Sequence, residues 1–150
     1  MGWSIECCDL KCGAKTSARN IVDLIDKHRN EEGWFKCSKC QSHGYIEKRF
    51  ALQEPGETWE PYLKGIVTLG NPEDIYQPFV FLVSYEPNGH PNDAWFSYYK
   101  DTRHLGGRLK LGYGPGGPPV LGEDKIIELV KTMVQKGCIE RSKLLDAIKE

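Results

Sequence analysis

The sequence predicts an α+β fold: an N-terminal knuckle module with an inserted helix, then a small antiparallel sheet closed by two C-terminal helices. Three observations carry this prediction. Five of the six cysteines fall within the first 40 residues in two groups, Cys7, Cys8 and Cys12, then Cys37 and Cys40. The run Phe79 to Tyr85 is apolar or aromatic except for Ser84, as a central strand buried on both faces requires. After Glu123 the apolar residues recur at helical spacing.

The cysteines are the strongest chemical signal. Cys37-Ser38-Lys39-Cys40 is a C-x-x-C pair between strand-like Trp34-Phe35-Lys36 and the polar turn and strand start at Gly44-Tyr45-Ile46. A turn between two strands aims both thiolates at one point. A redox C-x-x-C belongs at a helix N-terminus, so the strand that follows argues for metal. The partner pair is Cys8 with Cys12, or Cys7 with Cys12, and Gly13 directly after Cys12 suits a tight exit. Strand alternation favours Cys7, because Ile5 lies two before it as Phe35 lies two before Cys37. Shorter spacing favours Cys8, and spacing is given slightly the greater weight. The expected ligands are therefore Cys8, Cys12, Cys37 and Cys40, with Cys7 as the alternative to Cys8. Four thiolates form a usual structural zinc site; iron is the second choice. His28 and His43 are spare ligand candidates that four cysteines make unnecessary. Cys138 stands alone and reads as a small buried apolar residue.

On Cys7 or Cys8, Cys12-Gly13, Cys37-x-x-Cys40 and Gly44-Tyr45, residues 1–49 resemble a zinc ribbon with rubredoxin-type knuckles. The resemblance implies a metal-held structural module. Such modules bind nucleic acid, bind protein or support an enzyme, and the resemblance does not choose among these.

The remaining elements follow in order. Between the cysteine pairs, Ile21, Val22, Leu24, Ile25 and His28 share one helical face, with Thr16 or Ser17 as the expected N-cap and Gly33 beyond the end. The turn-rich acidic stretch 53–61, with Pro55-Gly56, places a soft boundary between a module at 1–52 and an α+β part at 53–150, or joins them as one compact unit. Strands are expected at 65–69, 79–85, 94–99 and 108–113. The last alternates Leu109, Leu111 and Tyr113 with Arg108 and Lys110. Glu123 and Asp124 suit a helix N-terminus, with Ile126, Ile127, Val130, Met133 and Val134 as its apolar stripe and Gly137 as its stop. Ile139 and Leu144 bracket the start of a second short helix as a hydrophobic staple.

Charge narrows the function classes. The net charge is +2 over residues 1–49, −6 over 50–96, +3 over 97–122 and zero over 123–150. The acidic middle argues against the whole chain lying along a phosphate backbone, and leaves a local basic face at 97–113. No apolar run approaches the ~20 residues of a membrane span. The N-terminus shows no secretory pattern, so the cytoplasm, where thiols stay reduced, is the expected compartment. Arg103, His104, Arg108 and Tyr113 make up a candidate binding surface. Asp101 and His104 could act as an acid and base there. The loop from Gly112 to Pro119 carries three prolines and no Gly-Lys-Ser/Thr, so it is not a P-loop. The leading expectation is a zinc-containing binding or adaptor protein, its metal structural and its partner a protein. The alternatives are single-stranded nucleic acid or RNA binding, and a small enzyme using the 100–108 loop.

Overall fold

The computed structural model describes residues 3–47, 50–51, 58–69, 74–102, 105–106, 109–112 and 122–149. In chain order its elements are β1 (Trp3–Cys7), β2 (Lys15–Ala18), α1 (Ile21–His28), β3 (Gly44–Glu47), β4 (Phe50–Ala51), β5 (Thr58–Trp59), β6 (Tyr62–Thr68), β7 (Tyr76–Ser84), β8 (Asp93–Asp101), β9 (Leu109–Gly112), α2 (Glu123–Gln135) and α3 (Arg141–Ala147). Among the described residues, seven strands form one sheet in the order β2-β1-β3-β6-β7-β8-β9, and β4 pairs with β5 apart from it. Every pairing is antiparallel. The sheet crosses the boundary expected at residue 52, because β3 pairs with β6 through Ile46 opposite Leu63.

The apolar run of β7 is explained by its neighbours. β6 and β8 flank it, and each face carries a helix layer. Phe79, Phe81 and Val83 join Ile5, Ile46 and Leu63 beneath Val22, Leu24 and Ile25 of α1. Val80 and Leu82 face the other way, onto Leu129 and Met133 of α2 and Cys138. Each such side chain contributes roughly 1.5–3 kcal/mol by leaving water. Phe79 stacks on Tyr99 with ring centres 4.5 Å apart, and Phe81 on Trp95 at 5.2 Å.

Three local expectations are corrected. The cap of α1 is Asn20, whose side-chain oxygen accepts from the Val22 N–H. Thr16 and Ser17 instead lie in β2, opposite Ile5 and Ser4 of β1. The pairing of β2 with β1 draws them into the sheet, and local capping preference yields to it. The buried face of α2 is Leu129 and Met133, while Ile126 and Ile127 are exposed. The segment Trp34–Lys36 makes isolated bridges rather than a strand, to Arg29, Gly65 and His43.

That segment crosses β6 where the strand is irregular. The register of β6 against β7 shifts between Leu63 and Gly65, which leaves Lys64 at a bulge. The Phe35 N–H donates to the Lys64 carbonyl (2.9 Å) and the Ile66 N–H to the Gly33 carbonyl (2.8 Å). Backbones meet so closely that a Cβ on Gly33 would lie 2.1 Å from the Ile66 oxygen, and one on Gly65 would lie 2.5 Å from the Gly33 oxygen. Gly33 also has φ +86°. Both positions therefore require glycine. Among the described residues, no helix is long and apolar enough to cross a membrane.

Candidate metal centre

Two loops bring four cysteines together. The first runs from Cys7 at the end of β1 to Ala14, and the second from Cys37 to Ser42 just before β3. They are closed by the same hydrogen bond. The Cys7 N–H donates to the Ala14 carbonyl (3.0 Å), and the Cys37 N–H donates to the Ser42 carbonyl (2.8 Å). The residue after the second cysteine of each loop is left-handed: Gly13 at φ +56° and Gln41 at φ +60°. The Thr16 and Ser38 hydroxyls, 2.7 Å apart, tie one loop to the other.

The sulfurs of Cys7, Cys12, Cys37 and Cys40 all lie within 4.8 Å of one another. Cys7 Sγ is 3.5 Å from Cys40 Sγ, and Cys12 Sγ is 3.8 Å from Cys37 Sγ. Tetrahedral bonds of about 2.3 Å from a zinc ion would set sulfur–sulfur separations of about 3.8 Å, so the set fits one ion. The first sulfur of each loop also faces the amide two residues on. The Asp9 N–H points at Cys7 Sγ (3.4 Å) and the Lys39 N–H at Cys37 Sγ (3.3 Å). The Ala14 amide bears on Cys12 and the Ser42 amide on Cys40. Such donors favour the charged thiolate, the form that binds metal.

The thiols differ in environment. Burial pushes the Cys7 thiol up to about 12. The Ser42 hydroxyl, 3.0 Å from Cys40 Sγ, joins the Ser42 amide in holding Cys40 down at about 6. Four thiolates this close repel one another strongly unless a cation sits among them.

The lean towards Cys8 is corrected by strand parity. Ile5 and Cys7 are inward-facing residues of β1, both buried, so Cys7 reaches the cluster. Cys8 turns the opposite way. Its Sγ lies 3.3 Å from Lys64 Nζ and donates to the Pro87 carbonyl at 3.4 Å. His28 and His43 stand outside the cluster of four. Burial first, and then the neighbouring charge of Lys27, lowers the pKa of His28. Burial also lowers that of His43, with Lys36 and Lys64 next. Cys138 is buried beneath α2, as expected of an apolar residue. Arg103, His104, Arg108 and Tyr113 lie outside the described residues, as does most of the Gly112–Pro119 loop. Asp101 is placed only through its backbone pairing with Leu109.

Sequence reasoning missed a second group of polar side chains beside this centre. Lys64, in the interior of the sheet, is 7% exposed. It lines a cavity with Cys8, Trp34, Lys36, His43 and His90. The only local signal for it is a lysine between Leu63 and Gly65 in an otherwise apolar strand.

No family model, no curated protein and no solved structure matches this chain.

Proposed function

We propose that Cys7, Cys12, Cys37 and Cys40 hold one zinc ion in a structural role, and that the chain is a binding or adaptor protein whose N-terminal part depends on that ion. The observation that carries this reading is the convergence of four sulfurs within 4.8 Å of one another on two loops that close with the same hydrogen bond. All four positions around the ion would be filled by cysteine, so no open position is left for a substrate, as in structural rather than catalytic zinc sites. The ion would supply folding free energy, of order 10–16 kcal/mol in small zinc modules at neutral pH. A protein partner is supported by the C-terminal helices, whose Ile126, Ile127, Leu145 and Ile148 are exposed and whose segment carries no net charge.

A native mass spectrum of the untagged protein, purified without added metal or chelator, tests this. The expected result is an excess of one zinc ion, lost when the chain is denatured in acid. A metal-free mass lowered by pairs of hydrogens would mean disulfides and would overturn the reading. An iron mass with visible colour would keep the site and change the ion.

A further inference from the structure

A cavity of about 530 Å³ opens beside the four-sulfur cluster, without including any of its sulfurs. Several chain segments converge on it: Cys8 just after β1, Trp34 and Lys36 from the crossing segment, His43 before β3, Lys64 from the bulge of β6, and His90 from the β7–β8 loop. Its size suits a small organic molecule.

Lys64 is the group that needs explaining. Burying an ammonium costs several kcal/mol unless charge or strong hydrogen bonds compensate it. Its acceptors are the Pro87 carbonyl and Cys8 Sγ, and its ammonium lies 5.2 Å from the centre of the Tyr45 ring. Among the described residues, no carboxylate lies within ion-pair distance of it. Among the described residues, Glu32 is the one acidic residue lining the cavity, and it is exposed. Two backbone irregularities hold Lys64 there: the bulge itself and the glycine-only crossing of Gly33 and Gly65. Bulges commonly serve to re-aim a side chain at a site. Lys36 lines the same space, and its charge and that of Lys64 both bear on His43. Trp34 lends an apolar wall, its ring 6.1 Å from His43 and 6.4 Å from His90 between centres.

We propose that this cavity is a binding site for a small organic anion, a carboxylate or phosphate ester carried on a planar apolar body. Lys64 supplies the buried countercharge, Lys36 a second cation at the rim, and Trp34 the wall for the apolar part. The oxyanion completes a cation whose partners among the described residues are a backbone carbonyl, a thiol and the Tyr45 ring, none of them an anion. The proposal is independent of which metal, if any, the cysteines hold.

The test is titration of the isotopically labelled full chain with benzoate, phenyl phosphate and the uncharged benzyl alcohol, following the Gly89 amide and the Trp34 indole N–H by NMR. Saturable shifts are expected with benzoate or phenyl phosphate, and the tighter of the two identifies the headgroup. Benzyl alcohol should bind at least about tenfold more weakly, as loss of one charge-assisted hydrogen bond implies. Lys64→Met should weaken the anion by a similar factor while Lys64→Arg retains part of it. If Lys64→Met does not fold, Lys36→Gln should still lower affinity by roughly threefold or more. Equal binding of benzyl alcohol and benzoate would overturn the proposal. So would Lys64→Met binding benzoate as the parent does, which would leave Lys64 a strut for the Pro87 loop. Absence of saturation by any of the anions below about 50 mM would also overturn it.

Discussion

The two cysteine loops solve one problem with different lengths of chain. The first places four residues between Cys7 and Cys12, and the second places two between Cys37 and Cys40. Both nevertheless close with a hydrogen bond from the first cysteine to the residue two beyond the second. Both turn out through a left-handed residue, and both point amides at the sulfurs. What is repeated is the closing geometry, and the residue count between cysteines is free to vary. The loops differ in their support. Cys7 is the last residue of a paired strand. The second loop hangs on the crossing segment, with the Lys36 N–H donating to the His28 carbonyl (2.7 Å) and the Gly44 N–H to the Phe35 carbonyl (2.9 Å).

Both loops should fail together when a sulfur of the cluster is removed. Replacing Cys7, Cys12, Cys37 or Cys40 with serine is expected to abolish stoichiometric metal and the native near-UV circular dichroism together. Cys8→Ser should keep both. Metal content by elemental analysis checks this. A Cys8→Ser protein without metal, beside a Cys7→Ser protein that retains it, would reverse the ligand assignment.

The support of the second loop is the next largest effect. Gly65→Ala drives a Cβ into the Gly33 carbonyl, backbone against backbone, and should cost about 3 kcal/mol or more. Chemical denaturation of the metal-loaded protein measures it. A cost below about 1 kcal/mol would mean that the crossing yields easily and braces nothing.

The exits are a finer test. Gly13→Ala meets nothing nearer than 3.9 Å, so only the left-handed backbone resists it, and a loss of about 1 kcal/mol is expected. Gln41→Gly relieves the same conformation in the second loop and should gain about 0.5 kcal/mol after the entropy cost of glycine. Two losses in that denaturation series would show that the exits are not equivalent.

The smallest expected effect lies at Ser42. Removing its hydroxyl in Ser42→Ala leaves the amide in place but takes away one donor to Cys40 Sγ. The Cys40 thiol should then titrate higher. Because binding requires the thiolate, half-maximal metal release during acid titration should move to higher pH, with a modest loss of affinity at neutral pH. An unmoved release curve would mean that the hydroxyl does not act on the sulfur.

How much of this was legible in the sequence depends on whether the deciding interaction was local. The apolar run of β7 announced a strand with two buried faces, and two helix layers cover those faces. The α1 face of Ile21, Val22, Leu24 and Ile25 was readable from its own spacing. Its cap was not, because Thr16 and Ser17 are claimed by pairing with β1. A small sheet confined to the second part was expected, yet β1, β2 and β3 extend it through the pairing of β3 with β6. The rotation of α2 was also hidden. Which of its apolar residues turn inward depends on where Val80 and Leu82 present their side chains. For the cysteines, parity along β1 was the informative signal and spacing the misleading one. The Lys64 cavity was the least legible feature, since its walls come from distant segments of the chain and Cys8 and His43, which line it, read instead as candidate metal ligands.

X-ray absorption at the metal edge of the protein as purified reads the ligand set itself. A single shell of four sulfur neighbours at about 2.3 Å is expected, unchanged in Cys8→Ser. A shell containing nitrogen or oxygen, or a sulfur count that falls to three in Cys8→Ser, would contradict it.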